Sequence, residues 1–201
     1  KKLTMKIKLL SLGLCALVLT ACNSKSEEKK KASDAEKTYA LVWADEFDVD
    51  GLPDADKWFL ETDAPENGGW YNNEKQHYTD RIENAEVSDG TLKIIAKKES
   101  YTHNGSTQEF TSARFNSKFH FTYGKVEVKA KLPRMQGTWP AIWALGTNLP
   151  EVGWPACGEI DMMEQLFENH LMVQSAVHVA GRYGDDPALK QLSVSDVTEN
   201  F

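Results

Sequence analysis

The chain has 201 residues, 41% of them hydrophobic, which suits one domain with an apolar core, and nothing in it repeats at solenoid spacing. Its formal net charge of -7 argues against a nucleic-acid partner and suits a neutral polymer better than a sulfated one. Two of the three cysteines lie in or beside the N-terminal segment, so the folded part holds only Cys157. We therefore expect no internal disulfide, and we expect Cys157 to be a small packing residue.

The first 22 residues are predicted to be a targeting segment. Four lysines flank the start of an apolar run from Leu9 to Ala21, and its 13 residues fall short of the roughly 20 that a spanning helix needs. The end of the run, Leu19-Thr20-Ala21-Cys22, resembles the lipobox of bacterial lipoproteins, in which the cysteine is acylated. We expect a signal peptide over 1–22, lipidation at Cys22, and a secreted protein anchored to the cell envelope by its lipid. An ordinary secretory signal with an incidental Cys22 is the alternative.

A linker and then a run of strands are predicted next. Residues 23–38 contain no large apolar side chain, which is typical of a flexible tether. From residue 39 onward the pattern is strands and turns: Lys125–Lys131 alternates strictly, and Asp89-Gly90 and Asn104-Gly105 are hairpin-turn pairs. No segment sustains a helical period, so the sequence predicts an all-β sandwich over 39–201.

Three acids stand within six residues of one predicted strand, at Glu159, Asp161 and Glu164. Carboxyls a few Å apart push one of them toward the protonated form, which gives the acid and base that glycoside hydrolysis requires. Regular alternation would send Glu164 to the opposite face, so the pattern needs a bulge at Met162-Met163. The bulge leaves about 5 Å between the two glutamate carboxyls, the spacing of a retaining enzyme. A solvent-exposed acidic edge is the alternative, and the interleaved apolar residues argue against it.

The stretch from Glu159 to Glu164 resembles the E-x-D-x-x-E signature of glycoside hydrolase family 16, in the form found in its laminarinase-like endo-β-1,3-glucanases. The likeness runs from about Leu41 to the end of the chain. Five further blocks carry it in order, at Trp70–Thr79, Thr111–Arg114, Tyr123–Glu127, Gly137–Trp143 and Trp154–Gly158.

The resemblance implies a concanavalin-like jelly roll of two curved antiparallel sheets with a cleft on the concave side. It makes Glu159 the nucleophile, Glu164 the general acid/base, and Asp161 the helper between them. No cofactor is expected for catalysis. A structural calcium ion bound by Glu46 and the carbonyl of Gly90 is also implied, although this chain lacks the region expected to complete that site.

Sugar binding needs flat apolar rings and polar side chains near the acids. With the resemblance, the candidates are Trp70, Asn72, Glu74, Arg114, Trp139 and Trp143. Trp139 and Trp143 are four apart on one presumed strand, which would point both into the cleft. Trp154 is left open. Alternation over Met172–Val179 turns His178 toward the cleft, close to Glu164, with a purely structural histidine as the alternative, and places the valines in the core.

These observations predict an endo-β-1,3-glucanase that cleaves laminarin-type β-glucan with retention. We expect a monomer whose only membrane contact is its lipid anchor. Where the family would continue for several more strands this sequence stops, so we expect it to be incomplete at its C-terminus. The alternatives are another family 16 specificity (β-1,3-1,4-glucan, agarose or carrageenan) and a non-catalytic β-glucan-binding protein; retention of all three acids argues against the second.

Overall fold

Short strands joined by turns make up most of the protein. A computed structural model describes residues 2–12, 38–65, 68–166, 171–195 and 197–198. The strands are β1 (Lys2–Leu12), β2 (Tyr39–Asp45), β3 (Trp58–Leu60), β4 (Gln76–Tyr78), β5 (Ala85–Ser88), β6 (Thr91–Ile95), β7 (Lys97–His103), β8 (Ser106–Ser112), β9 (Phe115–Ser117), β10 (Lys125–Lys131), β11 (Ala141–Leu145), β12 (Glu159–Glu164), β13 (Met172–His178) and β14 (Ala188–Ser193). In these described ranges the helical structure is one 3-10 turn, Tyr71–Asn73, and one α-helical turn, α1 (Leu149–Val152). The predicted all-β class is confirmed.

Both predicted hairpin turns are present. Asp89 and Gly90 have φ angles of 55° and 66° between β5 and β6. Asn104 and Gly105 have φ angles of 48° and 79° between β7 and β8. Two successive residues with positive φ match the twist of the flanking strands, and asparagine, aspartate and glycine reach that region at low cost. The strictly alternating segment forms β10, with the bounds that the sequence predicts.

The strands belong to two compact units. The first contains Lys1–Lys6, Glu46–His120 and Lys129–Phe201, and the second contains Ile7–Asp45 and Phe121–Val128. Within the first unit, β11, β12, β13 and β14 form an antiparallel four-stranded sheet in that order. The same unit holds the antiparallel pair β3–β9 and the three-stranded sheet β4-β8-β7. In this last sheet β4 runs parallel to β8.

Aromatic and aliphatic side chains form the core of the first unit. Trp58 stacks on Phe47 at 6.3 Å between ring centroids and meets Phe115 edge-to-face at 6.2 Å. Leu92 and Ala85, on the β5–β6 hairpin, are fully buried. Burying a large apolar side chain contributes about 1.5–3 kcal/mol, so these residues stabilise the first unit.

A buried polar network lies beside this core. The Asn84 side chain accepts from Thr79 Oγ1 at 2.6 Å and donates to Thr111 Oγ1 at 3.0 Å. Thr111 Oγ1 in turn donates to Glu99 at 2.6 Å, and Arg81 pairs with the same carboxylate. The hydrogen bond from Thr111, followed by the contact with Arg81, lowers the pKa of Glu99. Because the members satisfy one another, the network stabilises the unit although its groups are polar.

One face of the catalytic sheet, as we call the β11–β14 sheet because β12 carries the three predicted acids, differs from the expectation for β13. Alternation correctly separates Val173, Ser175 and Val177 from Gln174 and His178, but Val177 is 37% exposed and Val179 is 43% exposed. Ile160 on β12 and Leu192 on β14 are exposed on this side as well. The prediction that the apolar set of β13 fills the core is therefore wrong for these residues, because no described element covers them.

Only part of the predicted N-terminal segments lies among the described residues. Lys2–Met5 of β1 pair with β6 in the first unit, whereas Ile7–Leu12 pair with β2 in the second. The remainder of the predicted signal, Cys22, and all but residue 38 of the predicted linker lie outside the described residues. The signal peptide and linker stay predictions. No described helix is long and apolar enough to cross a membrane.

Candidate active site

The three acids lie on β12, and a bulge interrupts this strand. Asp161 faces Trp143 and Ala176 across the sheet. Beyond the bulge the pairing with β11 resumes at Met163, and Glu164 then faces Ala141 on one side and Gln174 on the other. Three steps along β12 thus match two on each neighbour, so one residue is extra. This is the bulge that the sequence predicts at Met162-Met163. It returns Glu164 to the side that carries Glu159 and Asp161.

The central acid, Asp161, is buried and its pKa is raised. Asp161 is 5% exposed and Glu164 is 8% exposed, while Glu159 is half-buried. Burial raises the pKa of Asp161 from its ordinary 3.8 to about 7, and the charges of Glu159 and Glu164 and a hydrogen bond with Glu159 add to the effect. A proton held by Asp161 below about pH 7 limits the repulsion among the three carboxyls.

An indole N–H donates to each outer carboxylate. Trp154 Nε1 donates to Glu159 Oε2 at 2.5 Å, and Trp139 Nε1 donates to Glu164 Oε1 at 2.8 Å. Gln174 Nε2 approaches Glu164 Oε2 at 3.3 Å. These donors fix the rotamers of the two glutamates. Trp139 precedes β11 instead of sharing it with Trp143, so the predicted same-strand spacing of the pair is wrong, although Trp139 does reach the acids.

His178 lies at a different acid from the one expected. Its Nε2 is 3.2 Å from Asp161 Oδ2, and its Nδ1 accepts a hydrogen bond from the Gly184 N–H at 3.2 Å. The register pairs His178 with Glu159 and leaves Gln174 opposite Glu164. The expected proximity of His178 to Glu164 is therefore wrong, because antiparallel pairing carries the end of β13 toward the start of β12.

Arg114 contacts Trp143 of the catalytic sheet and residues of other segments. Its guanidinium lies over the Trp143 ring at 4.7 Å and over the Trp70 ring at 5.4 Å. The Glu61 carboxylate pairs with Arg114, and the Glu61 N–H donates to the Arg114 carbonyl at 3.0 Å. Because cross-strand partners share a face, Trp143 lies on the Asp161 side of the sheet and brings Arg114 toward it. Stacking and the ion pair together hold the guanidinium plane in one orientation.

Two of the remaining predicted ligands, Glu74 and Trp70, contact the half-buried Tyr78. Glu74 accepts from Tyr78 Oη and from Gln76 Nε2, each at 2.6 Å. Burial, followed by the Glu74 charge, raises the pKa of Tyr78 well above its usual range. Trp70 packs on Tyr78 at 4.6 Å and is 5% exposed, which argues for a packing role and against the expected open sugar platform. Asn72 is exposed, with φ of 56° in the 3-10 turn.

Two residues that the sequence did not single out as site residues contact those that it did. Glu61 binds Arg114, and Gln174 approaches Glu164. Glu61 lies more than 50 positions before its partner, so no local pattern indicated it. For Gln174 the signal was present, since alternation had already placed it on the side of the sheet that carries His178.

No group of three or more His, Cys, Asp or Glu side chains in the described ranges could hold a metal ion. The calcium site at Glu46 and Gly90 stays a prediction. Cys157 is a free thiol of intermediate exposure, two residues before Glu159.

Comparison with known proteins shows the family of this chain. The model of the glycosyl hydrolases family 16 matches residues 72–201. The chain belongs to glycosyl hydrolase family 16. Members of this family need no cofactor for catalysis.

Family 16 proteins of known structure share the fold of this chain. The laminarinase catalytic domain from Thermotoga maritima is 41% identical, with a TM-score of 0.75, over 80% of this chain and 66% of that one. A LamA variant from Z. galactanivorans, in complex with laminaritriose and laminaritetraose, is 48% identical, with a TM-score of 0.73, over 79% of this chain and 69% of that one. The predicted jelly-roll sandwich of family 16 is thereby confirmed.

Among curated relatives, a beta-glucanase of Rhodothermus marinus is 42% identical over 166 residues. The match covers 80% of this chain and 54% of the relative. This family 16 chain thus spans about half the length of that protein.

Proposed function

We propose that the full-length protein is a retaining endo-β-1,3-glucanase that hydrolyses laminarin-type β-glucan. The observation that carries the proposal is the bulged β12, which sets Glu159, Asp161 and Glu164 on one side of the sheet. Burial and the two neighbouring acids raise the pKa of the central Asp161 to about 7. The likeness to a beta-glucanase and to laminarinases supports β-1,3-glucan as the substrate class.

The chemistry needs two glutamates with different tasks. Glu159 attacks the anomeric carbon and forms a glycosyl ester while Glu164, which enters this step protonated, gives its proton to the departing glycosidic oxygen. Glu164 then takes a proton from water, which attacks the ester and restores Glu159. Asp161 lies between the two glutamates and keeps its proton. It donates a hydrogen bond to Glu159 before the attack and so lowers the total negative charge of the site.

The substrate assignment is tested with laminarin, lichenan and agarose. We expect the full-length protein to release reducing ends from laminarin, and activity on agarose alone would rule the proposal out.

The residue roles are tested with two glutamate variants. Glu159→Ala should lower kcat by at least about a thousandfold, because the covalent route is lost. Glu164→Ala should still turn over aryl glycosides with good leaving groups, and added azide should convert it to a producer of β-glycosyl azide. Absence of the β product, or a fresh wild-type product with the α configuration by NMR, would exclude retention.

We further propose that the protein is secreted, acylated at Cys22 and monomeric, with a lipid as its only membrane contact. The lipobox-like Leu19–Cys22 supports the anchor. A structural calcium ion at Glu46 and Gly90 rests on the family resemblance alone.

A further inference from the structure

The loop that follows β13 has its own closed hydrogen bonding. Val179 and Arg182 exchange two backbone hydrogen bonds, each 2.9 Å long. Arg182 Nη2 donates to the Pro187 carbonyl at 2.9 Å, and the Asp186 N–H donates to the Tyr183 carbonyl at 3.2 Å. The loop therefore has a defined shape that places the Tyr183 ring.

This loop reaches two of the catalytic carboxyls through one intermediary each. The Tyr183 ring meets Trp154 edge-to-face, with 5.3 Å between centroids and 85° between planes, and Trp154 donates to Glu159. The next residue, Gly184, donates to His178, which contacts Asp161. Since the Gly184 N–H needs a lone pair on Nδ1, the ring proton of neutral His178 sits on Nε2 and faces Asp161. Tyr183 thus lies at the nucleophile end of the catalytic sheet.

Two large rings stay half-exposed at this end. Tyr183 is 48% exposed and Trp154 is 45% exposed, although both are packed on one side. The two rings stand at right angles, and Trp154 is hydrogen-bonded to Glu159, so together they form a corner with free apolar surface beside that carboxylate. A pyranose ring fits it, because its C–H face is apolar and its rim of hydroxyls points to the neighbouring polar groups.

We propose that Tyr183 contacts substrate, and that with Trp154 it forms an aromatic corner holding one sugar ring beside Glu159. This assignment rests on the proposed function and adds a residue to its binding site. Tyr183 acts by binding, so its loss should fall on affinity more than on the chemical step.

The test measures binding and turnover separately in the full-length protein. Binding of laminarihexaose is followed by calorimetry in a Glu164→Gln background, and KM and kcat are measured with Glu164 intact. We expect Tyr183→Ala to weaken binding and raise KM about tenfold, as loss of some tens of Å² of apolar contact predicts, with kcat within about threefold. Tyr183→Phe keeps the ring and should stay within about twofold of wild type.

Two controls make the result decisive. Tyr123→Ala removes an 85% exposed ring outside β11–β14 and their loops, and should change neither constant. If Tyr183→Ala fails to give a cooperative melt, Tyr183→Leu keeps bulk without a flat ring and should weaken binding to the same degree.

The possible outcomes distinguish failure of the aromatic-corner proposal from failure of the proposed glucanase function. Hydrolysis of laminarin with unchanged KM and affinity in the Tyr183 variants overturns the aromatic corner alone. A fall in kcat at unchanged KM does the same, because Tyr183 would then only position Trp154. A wild-type protein that neither binds nor cleaves the oligosaccharide overturns both.

Discussion

Replacing Asp161 by asparagine is expected to flatten the pH dependence of stability. An aspartate in the unfolded chain titrates near pH 4, whereas burial and the flanking glutamates raise the pKa of folded Asp161 to about 7. Between these values the folded protein holds a proton that the unfolded chain has lost. The free energy of unfolding therefore falls as the pH rises through this window, and the contribution of Asp161 is most favourable at acidic pH.

The magnitude follows from the width of the window. Each pH unit in which one extra proton is bound changes the free energy of unfolding by about 1.4 kcal/mol. Asp161 is 5% exposed, so solvent screening reduces the effect little. From pH 5 to pH 8 the wild-type protein should lose about 3 kcal/mol through this group, and Asp161→Asn should lose none of it.

Urea unfolding of the full-length protein at pH 5, 6, 7 and 8 measures the difference. Glu99→Gln is the control: the hydrogen bond from Thr111, followed by the contact with Arg81, lowers the pKa of that carboxyl, so its titration lies below the window and its loss should leave the slope unchanged. An equal slope in wild type and Asp161→Asn would refute the assignment of the proton to Asp161.

Two further predictions concern the anchor and the exposed sheet. Cys22→Ala should abolish incorporation of labelled fatty acid and move the protein from the membrane fraction to the soluble one; unchanged labelling would contradict the lipobox. The 201-residue chain, with Ile160, Val177 and Leu192 exposed on one side of the catalytic sheet, should bind a hydrophobic dye and self-associate. Val177→Thr with Leu192→Thr should reduce both signals, and a monomeric, dye-free wild-type chain would count against this.

Local chemistry was the predictable part of this molecule. The turn pairs Asp89-Gly90 and Asn104-Gly105 carry the residues that positive φ requires, so their hairpins could be read directly. The bulge in β12 was predictable for a different reason. Acids at positions 159, 161 and 164 cannot all face one side of a regular strand. Because the proposed chemistry needs them on one side, the spacing itself predicted the bulge that the structure shows.

Partnerships between distant residues could not be predicted in the same way. The contact between His178 and Asp161 depends on the register of β13 against β12, which alternation alone leaves open by any even number of residues. The burial of Trp70 depends on Tyr78 and Arg114, which lie on other elements. Exposure of Val177 depends on what covers the sheet, and sequence alternation does not show that.

The extra residue in β12 is tied to the spacing of the three acids. Alternation resumes after the bulge with its parity reversed, so Glu159, Asp161 and Glu164 share a side only because one residue is bulged out. Deleting one residue at Met162-Met163 would remove the bulge and set the three acids at alternate positions, which a regular strand also turns to one side. A relative with the same three acids and a one-residue gap at this point would therefore keep each acid on its side of the sheet without a bulge.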